Sequence, residues 1–318
     1  MKIHIFNPEN DMALANGTPG YTPPANIRTY RQANWRLPEK WASPEDIIWD
    51  GETHFDNLGI PAGQDFEIFP WGWSPAIVHQ LRLAGFPLEK MPSSLWLQKL
   101  RTLSSRQTTV SIQRQLGLEA YVCHTTDEIT DITHHKPQRN YILKSPWSSS
   151  GKGLMTTENA NWTGWVRNIL KQQGAVIVER KLDRAQDFAM EFMIDRKHNI
   201  KYLGLSMFVT DEYGHYLRNI QNPQIPASLK EQVLKPTLDW YLTNLPRIAP
   251  WYHGPVGVDM LITATGKICP CIEINWRMTM GMVTLLQRVP HIFPDFSLPF
   301  QQNTLPLHPL SPKGKQTG

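Results

Sequence analysis

The sequence predicts a mixed α/β protein with more than one lobe, and three observations support this prediction. The chain opens with KIHIF, whose alternating polar and apolar residues are typical of a strand. Helix-start signals precede runs that have apolar residues at helical spacing. The 318 residues, of which 41% are hydrophobic and 19% charged, are more than one minimal domain needs. We therefore expect two or three lobes.

Residues 1–95 predict a small N-terminal α/β domain. The first strand breaks at Asn7-Pro8, as a strand running into a loop does. Ser74 and Pro75 stand where a helix N-cap and the first helical residue belong, before the helical pattern of AIVHQLRLAG. Residues 16–44 are rich in Gly, Pro, Asn and Trp without clear periodicity, which predicts irregular structure rather than a long helix. The tryptophans of this domain are interpreted as core or interlobe packing, with an aromatic wall for a substrate as the alternative.

A central lobe is predicted for residues 96–172. A Ser start, apolar residues at helical spacing and a terminal Gly indicate a helix between Ser104 and Gly117. The segment YILKS then predicts a strand that runs into a polar loop, and a further helix is expected from Trp162.

A C-terminal lobe is predicted for residues 173–301. The segments AVIVERKL, FAMEFMI and YLGLSMFVT are rich in residues that favour strands. A helical segment near residues 227–245 and a β-hairpin at residues 255–276 follow. Residues 302–318 are rich in Pro, Lys and Gly, and we predict that they form a disordered tail.

Composition and charge narrow the class of protein. The formal charge of +4 comes from scattered lysines and arginines without a basic stripe, so we expect no nucleic-acid partner. No run approaches the roughly 18–20 apolar residues that a membrane helix needs, and MKIHIF is too short for a secretory signal. We expect a cytoplasmic protein without a membrane partner. Its three cysteines, which lack CxxC spacing, are expected to be reduced thiols.

Candidate metal ligands lie on the second strand of the predicted hairpin. Successive side chains of a strand point to opposite faces. In CPCIEINWR one face therefore carries Cys271, Glu273, Asn275 and Arg277, and the other carries Ile272, Ile274 and Trp276. Carboxylate and amide oxygens on one face suit a hard cation such as Mg²⁺ or Mn²⁺. The alternative is an ordinary hairpin with exposed polar residues.

The turn of this hairpin decides whether a third ligand, Asp259, reaches the same face. A three-residue turn at 264–266 pairs Asp259 with Cys271, diagonal to Glu273. A two-residue turn pairs Asp259 with Ile272 instead and directs it to the opposite face. The metal hypothesis therefore predicts the three-residue turn, with its glycine in the left-handed conformation.

The loop that follows Lys144 has the composition of a phosphate-binding loop. A lysine at the end of a strand, followed by SSSGKG, supplies a cation, hydroxyls and backbone N–H groups that can cover phosphates. It is not a P-loop, because Pro146 stands where the first glycine of that motif belongs. Taken alone, the segment is more typical of a plain linker.

These motifs occur in the order found in a known superfamily. The segments LKSPWSSSGKGL, VIVERKL, GVDML and CIEINWR resemble the ATP-grasp superfamily over about residues 100–280. The resemblance implies an ATP-grasp fold preceded by a small N-terminal α/β pre-ATP-grasp domain. Its last motif is the most specific of the four.

The resemblance also implies roles for individual residues. Lys144 and Arg277 are the catalytic candidates: Lys144 would hold the α and β phosphates, and Arg277 would steady an acyl phosphate or a substrate carboxylate. Mg²⁺ ions that bridge the phosphates would be held by Asp259, Glu273 and Asn275. Further ATP-binding candidates, from the first phosphate contact through the phosphate loop to adenine and ribose, are Arg106, Ser149, Ser150, Gly151, Gly153, Glu179, Arg180, Leu182 and Asp187.

The implied reaction is an ATP-dependent ligation. A carboxylate attacks the γ-phosphate of ATP, and an amine or similar nucleophile then takes the acyl phosphate, releasing ADP and phosphate. The expected substrates are small-molecule or peptide carboxylates and amines. An ATP-grasp-type kinase and a non-catalytic nucleotide-binding protein remain alternatives, and the sequence does not indicate an oligomeric state.

Overall fold

Three β-sheets with flanking helices make up the computed structural model over the residues that it describes, which are 1–135, 139–148, 153–211, 216–220 and 234–287. This architecture confirms the predicted mixed α/β class. Within the same residues, no helix is both long and apolar enough to cross a bilayer. The predicted tail at 302–318 lies outside the described residues.

The first sheet is parallel and has the strand order β2-β1-β3. Its helix α3 begins as predicted, because the Ser74 side chain accepts a hydrogen bond from the Ile77 N–H and Pro75 opens the helix. The elements are β1 (Lys2–Ile5), α1 (Asn10–Asn16), α2 (Ala25–Asn34), β2 (Ile47–Ile48), β3 (Glu67–Pro70) and α3 (Pro75–Leu83), with short 3₁₀ helices at Leu37–Lys40, Phe55–Asn57 and Leu88–Lys90.

Helix α2 corrects the prediction of irregular structure for residues 16–44. It runs for ten residues and buries none of them. A helix without a buried apolar face leaves no hydrophobic periodicity in the sequence, so the usual signal was absent.

The second sheet is antiparallel, with the order β4-β7-β5-β6, and helices α6 and α7 pack against it. Strand β7 pairs with β4 and β5, so the strand expected to open the C-terminal lobe lies in the middle sheet. The elements are α4 (Ser94–Leu103), α5 (Arg106–Gln115), β4 (Ala120–Cys123), α6 (Thr126–His135), β5 (Tyr141–Lys144), β6 (Leu154–Thr156), α7 (Trp162–Gln173) and β7 (Val176–Arg180).

The third sheet is antiparallel, with the order β10-β9-β8-β11-β12. One face is apolar: Phe192, Val258 and Ile274 pack with Tyr241 and Leu245 of helix α8 in the largest core cluster. The elements are β8 (Arg184–Ile194), β9 (Ile200–Thr210), β10 (Tyr216–Asn219), α8 (Lys235–Ile248), β11 (Gly254–Thr263), β12 (Ile268–Asn275) and α9 (Met280–Leu286). Because strand side chains alternate, the opposite face of this sheet is left for polar residues.

The N-terminal sheet packs against the end of the third sheet. Trp41 and Trp71 share a core cluster with Met278 and Met282, and the Met278 N–H donates to the Trp71 carbonyl at 2.8 Å. These two tryptophans therefore serve interlobe packing, in agreement with that interpretation of the aromatic residues.

The bend after β3 is held by two asparagines. Asn7 Nδ2 donates to the Gly72 carbonyl at 2.8 Å. In the amide orientation that satisfies its surroundings, Asn10 donates to the carbonyls of Gly72 at 2.9 Å and Trp73 at 3.0 Å. A Cβ added at Gly72 would lie 2.5 Å from Asn10 Cγ. Only glycine leaves room for this contact.

We expect Gly72→Ala to lower the free energy of unfolding by on the order of 1–3 kcal/mol, because the added methyl group displaces Asn10. The matched control is Gly164→Ala in α7, where an added Cβ meets open space. That variant should gain about 1 kcal/mol from better helix propensity. Urea unfolding of both variants checks the prediction, and equal changes in the two would contradict the steric argument.

Candidate active site

Lys144 lies where the middle sheet meets β12. It is buried at the end of β5, and its Nζ donates to Glu179 Oε2 at 2.7 Å and to the Ile272 carbonyl at 3.3 Å. Glu179 comes from the neighbouring strand β7. Two predicted ATP-binding residues therefore form an ion pair with each other.

Arg106 connects the phosphate-loop region to the hairpin. It opens helix α5 and is only 5% exposed. One side of its guanidinium donates to the Ser145 carbonyl at 3.0 Å and to Ser148 Oγ at 2.6 Å. The other side contacts Glu273, with Nη2 to Oε2 at 2.9 Å. The fork of an arginine suits this double contact better than the point charge of a lysine.

The predicted phosphate loop is described only at its ends. Ser149, Ser150 and Gly151 lie outside the described residues. Gly153 has φ +75°, and its carbonyl accepts from the Ser145 N–H at 2.9 Å. A Cβ at this position would lie 2.3 Å from Ser145 Oγ, so the closed base of the loop requires glycine.

The predicted adenine and ribose contacts differ in exposure. Arg180 is exposed and Leu182 is half-buried, while Asp187 is buried on β8. Burial raises the pKa of Asp187, although Arg184 and a hydrogen bond from Thr210 oppose the rise. Thr210 Oγ1 donates to Asp187 Oδ2 at 2.7 Å. Thr210 is a partner that sequence reasoning missed, because it lies on the neighbouring strand.

The hairpin has the predicted turn but not the predicted register. The Thr263 N–H donates to the Lys267 carbonyl at 2.8 Å across a three-residue turn, in which Gly266 has φ +79°. Farther from the turn the register shifts, and Asp259 pairs directly with Glu273. The predicted pairing of Asp259 with Cys271 is therefore wrong.

Pro270 supplies the physical reason for this shift. It lies within the irregular stretch of β12 and has no N–H to donate to the ladder. The irregularity also turns Cys271 into the core, where it lies with Ile274 and Trp276. Cys271 was expected on the ligand face and is not there. The register change amounts to two residues, so Asp259 keeps the face that the metal hypothesis requires.

Asp259, Glu273 and Asn275 are brought together on the polar face of the third sheet. Asn275 Nδ2 donates to Asp259 Oδ2 at 3.1 Å. Burial raises the pKa of Asp259 well above its ordinary value, and the negative charge of Glu273 adds to the rise. Within the described residues no three His, Cys, Asp or Glu side chains form a metal cluster. Two opposed carboxylates and an amide are nevertheless a donor set that fits Mg²⁺, because a hard cation relieves their repulsion.

Arg277 makes an ion pair with Asp11, a residue that the sequence analysis did not single out. Arg277 Nε and Nη2 donate to the two carboxylate oxygens of Asp11 at 2.7 and 2.6 Å. Nη2 also donates to Asn275 Oδ1 at 3.0 Å, and Nη1 donates to the Met278 carbonyl at 2.9 Å. The N-terminal domain thus contributes a charged group to the site.

Glu191 is a third residue that sequence reasoning missed, and it lies on the same face of the third sheet as Asp259. It is 1% exposed, and Ser206 Oγ donates to its Oε1 at 2.8 Å. Its strand neighbours are Gly204 and Gly257, and a Cβ at Gly257 would lie 2.8 Å from Glu191 Oε2. Burial raises its pKa to about 7. A single charge within the apolar segment FAMEFMI was the signal available in the sequence.

Some of these groups line a cavity between the N-terminal domain and the hairpin. Its wall includes Asp11, Ser104, Trp147, Glu273, Asn275 and Arg277. Trp147 is fixed there, because its Nε1 donates to the Arg101 carbonyl at 3.2 Å and its ring lies 4.5 Å from the Arg101 guanidinium. The cavity lining combines the cation of Arg277 with two carboxylates and an aromatic wall.

The fold is shared with solved structures of ATP-grasp enzymes. An ADP complex of N5-carboxyaminoimidazole ribonucleotide synthetase has a TM-score of 0.50 and 13% identity, over 87% of this chain and 70% of that one. Biotin carboxylase from Campylobacter jejuni has a TM-score of 0.52 and 12% identity, over 74% and 56%. Pyruvate carboxylase from Rhizobium etli has a TM-score of 0.51 and 18% identity, over 69% and 20%. This chain has the ATP-grasp fold, as the resemblance implied.

Sequence comparison gives one likeness at low identity. The [butirosin acyl-carrier protein]–L-glutamate ligase of Niallia circulans is 21% identical over 192 residues, which are 56% of this chain. The chain spans 44% of the length of that relative. No family model matches the chain.

The pKa of Glu191 leads to a prediction about stability and pH. Its pKa rises from the ordinary 4.5 to about 7 in the folded protein, so the folded state holds the proton to higher pH than the unfolded chain. This contribution to stability is complete below about pH 4.5 and is lost as the pH rises through about 7. We expect Glu191→Gln to raise the free energy of unfolding at pH 8 by on the order of 1–3 kcal/mol.

Urea unfolding of the wild type and Glu191→Gln between about pH 5 and 8 checks this prediction, and the difference between the two curves isolates Glu191. Glu52→Gln, at an exposed position, is the control and should follow the wild type. Parallel curves for the wild type and Glu191→Gln would show that Glu191 is not the titrating group.

Proposed function

We propose that this chain is an ATP-dependent ligase that activates a carboxylate as an acyl phosphate and transfers the acyl group to an amine. The observation that carries the proposal is the cavity lined by Glu273, Asn275 and Arg277. Hydrogen bonds connect three further candidate residues to the strand that lines it: Arg106 donates to Glu273, Lys144 donates to the Ile272 carbonyl, and Asp259 accepts from Asn275. The ATP-grasp fold supports the use of ATP by these residues.

In this proposal, the two sheets that meet at Lys144 hold the nucleotide. Lys144 and Arg106 would bind its phosphates, together with the loop residues Ser149, Ser150, Gly151 and Gly153. Glu179 and the backbone of Arg180 to Leu182 would contact adenine, and Asp187 would bind the ribose hydroxyls. Lys144 and Glu179 are in contact, so phosphate binding by Lys144 would free the Glu179 carboxylate for the base.

The residues that would hold Mg²⁺ or Mn²⁺ are Asp259, Glu273 and Asn275. When bound, such an ion offsets the negative charge on the phosphate oxygens. Arg106 also contacts Glu273, which links the metal row to the base of the phosphate loop. The contacts within the chain fix the cationic side chains in place before the reaction. Electrostatic catalysis is most effective when such groups are already positioned.

The proposed reaction has two steps. In the first, a carboxylate oxygen of the substrate bonds to the γ-phosphorus, and the bond from this phosphorus to the β–γ bridging oxygen breaks, so that ADP leaves with the electron pair. In the second, the amine nitrogen bonds to the acyl carbon, the bond from this carbon to the phosphate oxygen breaks, and the nitrogen loses a proton. Arg277 and Lys144 lower the energy of both steps by offsetting developing negative charge.

Substrates are proposed only by class. The curated relative is named for attaching L-glutamate to an acyl-carrier protein, and less than half of its length is matched. Small-molecule or peptide carboxylates and amines are therefore the proposed substrates of this chain.

We expect Glu273→Gln and Lys144→Ala each to reduce substrate-stimulated ADP release by on the order of a hundredfold. Glu273→Gln removes a carboxylate proposed to hold the metal, and Lys144→Ala removes a cation proposed to bind the phosphates. The measurement is ATP consumption with Mg²⁺ against pools of amino acids, short peptides and small carboxylic acids. Glu52→Gln and Lys267→Ala, at exposed positions, are the matched controls and should retain wild-type rates.

A product assay separates the ligase from its rivals. An amide product formed together with ADP and phosphate supports ligation, and a stable phosphorylated product would indicate a kinase. If the wild type gains no thermal stability with Mg²⁺ and ATP, the proposed nucleotide site is wrong.

A further inference from the structure

We infer that Asp11 selects substrates that carry a positively charged amino group next to the carboxylate, and that it does so by exchanging partners with Arg277. This inference rests on the proposed ligase function and names the substrate class of the same site. The substrate class is α-amino acids in their zwitterionic form.

The first step of the argument is that the fork of Arg277 is already occupied. Asp11 accepts hydrogen bonds from Nε and Nη2, Asn275 Oδ1 accepts a second one from Nη2, and the Met278 carbonyl accepts one from Nη1. These bonds use four of the five N–H groups of the guanidinium. A substrate carboxylate can therefore be gripped by two parallel hydrogen bonds only if Asp11 releases Arg277.

The second step concerns the charge left behind when Asp11 is released. The side chains of Arg277 and Asp11 are only 18% and 21% exposed. A half-buried carboxylate without a cation is costly, so a simple carboxylic acid that took Arg277 would leave Asp11 in an unfavourable state. An α-amino acid avoids this cost, because its ammonium group replaces Arg277 as the partner of Asp11.

The third step is geometric. The carboxylate of Asp11 and the guanidinium of Arg277 are in direct contact, so a substrate that inserts between them must carry its two charges close together. An α-ammonium group and its carboxylate share one carbon and meet this requirement. A peptide, whose terminal charges lie several bonds apart, does not.

The surroundings of Asp11 suit an exchange that needs only a side-chain rotation. Asn10 and Asn7 fix the chain before it by hydrogen bonds to the Gly72 and Trp73 carbonyls. Ser104, in the same cavity wall, has a buried hydroxyl oxygen without a hydrogen-bond partner among the described residues. This hydroxyl is a further polar contact for a ligand that enters between Asp11 and Arg277.

The test compares amino acids with acids that lack only the amino group. The probes are L-alanine with propionate, L-glutamate with glutarate, and L-phenylalanine with 3-phenylpropionate. We measure kcat and KM of ADP release, with excess hydroxylamine as a common acceptor, for the wild type, Asp11→Asn and Asp11→Glu. Asp56→Asn, whose side chain is 80% exposed, is the matched control.

We expect the wild type to prefer the amino acid in at least one pair. In Asp11→Asn, KM for that amino acid should rise about 10- to 100-fold, as the loss of a charge-assisted hydrogen bond predicts, while KM for its partner acid falls. Asp11→Glu, which keeps the charge, should retain the preference in part. The control should behave as the wild type does.

Two results would overturn the inference: a wild type that does not prefer any of the amino acids, or an Asp11→Asn variant that loses equal activity towards both members of a pair. The second result would mean that Asp11 only positions Arg277. Thermal stabilisation by Mg²⁺ and ATP is measured in parallel. If the wild type shows none, the ligase proposal itself fails, whereas normal stabilisation confines the failure to Asp11.

Discussion

Two carboxylates that face each other across a pair of strands repel, and several contacts in this structure offset that repulsion. Asp259 and Glu273 are directly paired on β11 and β12. Arg106 reaches Glu273 from the start of α5, and Asn275 donates to Asp259. Arg106 also donates to the Ser145 carbonyl at the base of the predicted phosphate loop. One guanidinium therefore both offsets the charge of Glu273 and positions the loop. Removing either carboxylate would therefore disturb more than a proposed metal ligand.

The third sheet makes this arrangement possible because its two faces differ. The apolar face packs on α8 and contributes to the largest cluster of the hydrophobic core. The opposite face carries Asp187, Glu191 and Asp259, separated by small residues such as Ala189 and Gly257. Glycine next to Glu191 leaves room for a buried carboxylate where a larger side chain would collide with it. The free energy gained by burying the apolar face thus offsets the cost of burying carboxylates on the other face.

Local signals predicted much of the fold, and long-range contacts account for what was missed. Ser74, Pro75 and Gly266 act within a few residues of themselves, so their roles were visible in the sequence. Helix α2 has no buried face and was missed. The candidate metal residues were recognised from their spacing, but the hairpin register depends on an irregularity that spacing does not reveal. Asp11 contacts a partner 266 positions away, and no periodicity or motif links the two.

Three cations of the candidate site, Lys144, Arg106 and Arg277, are each matched with one carboxylate: Glu179, Glu273 and Asp11. The ligand-free site therefore has little excess charge, although it is rich in charged groups. A field of this kind decays within a short distance, so it attracts free anions weakly and is little affected by ionic strength. A ligand that breaks these ion pairs binds favourably only if it supplies a new anion to each cation and a new cation to each carboxylate. The site therefore favours ligands that carry both signs of charge over bare anions such as phosphate.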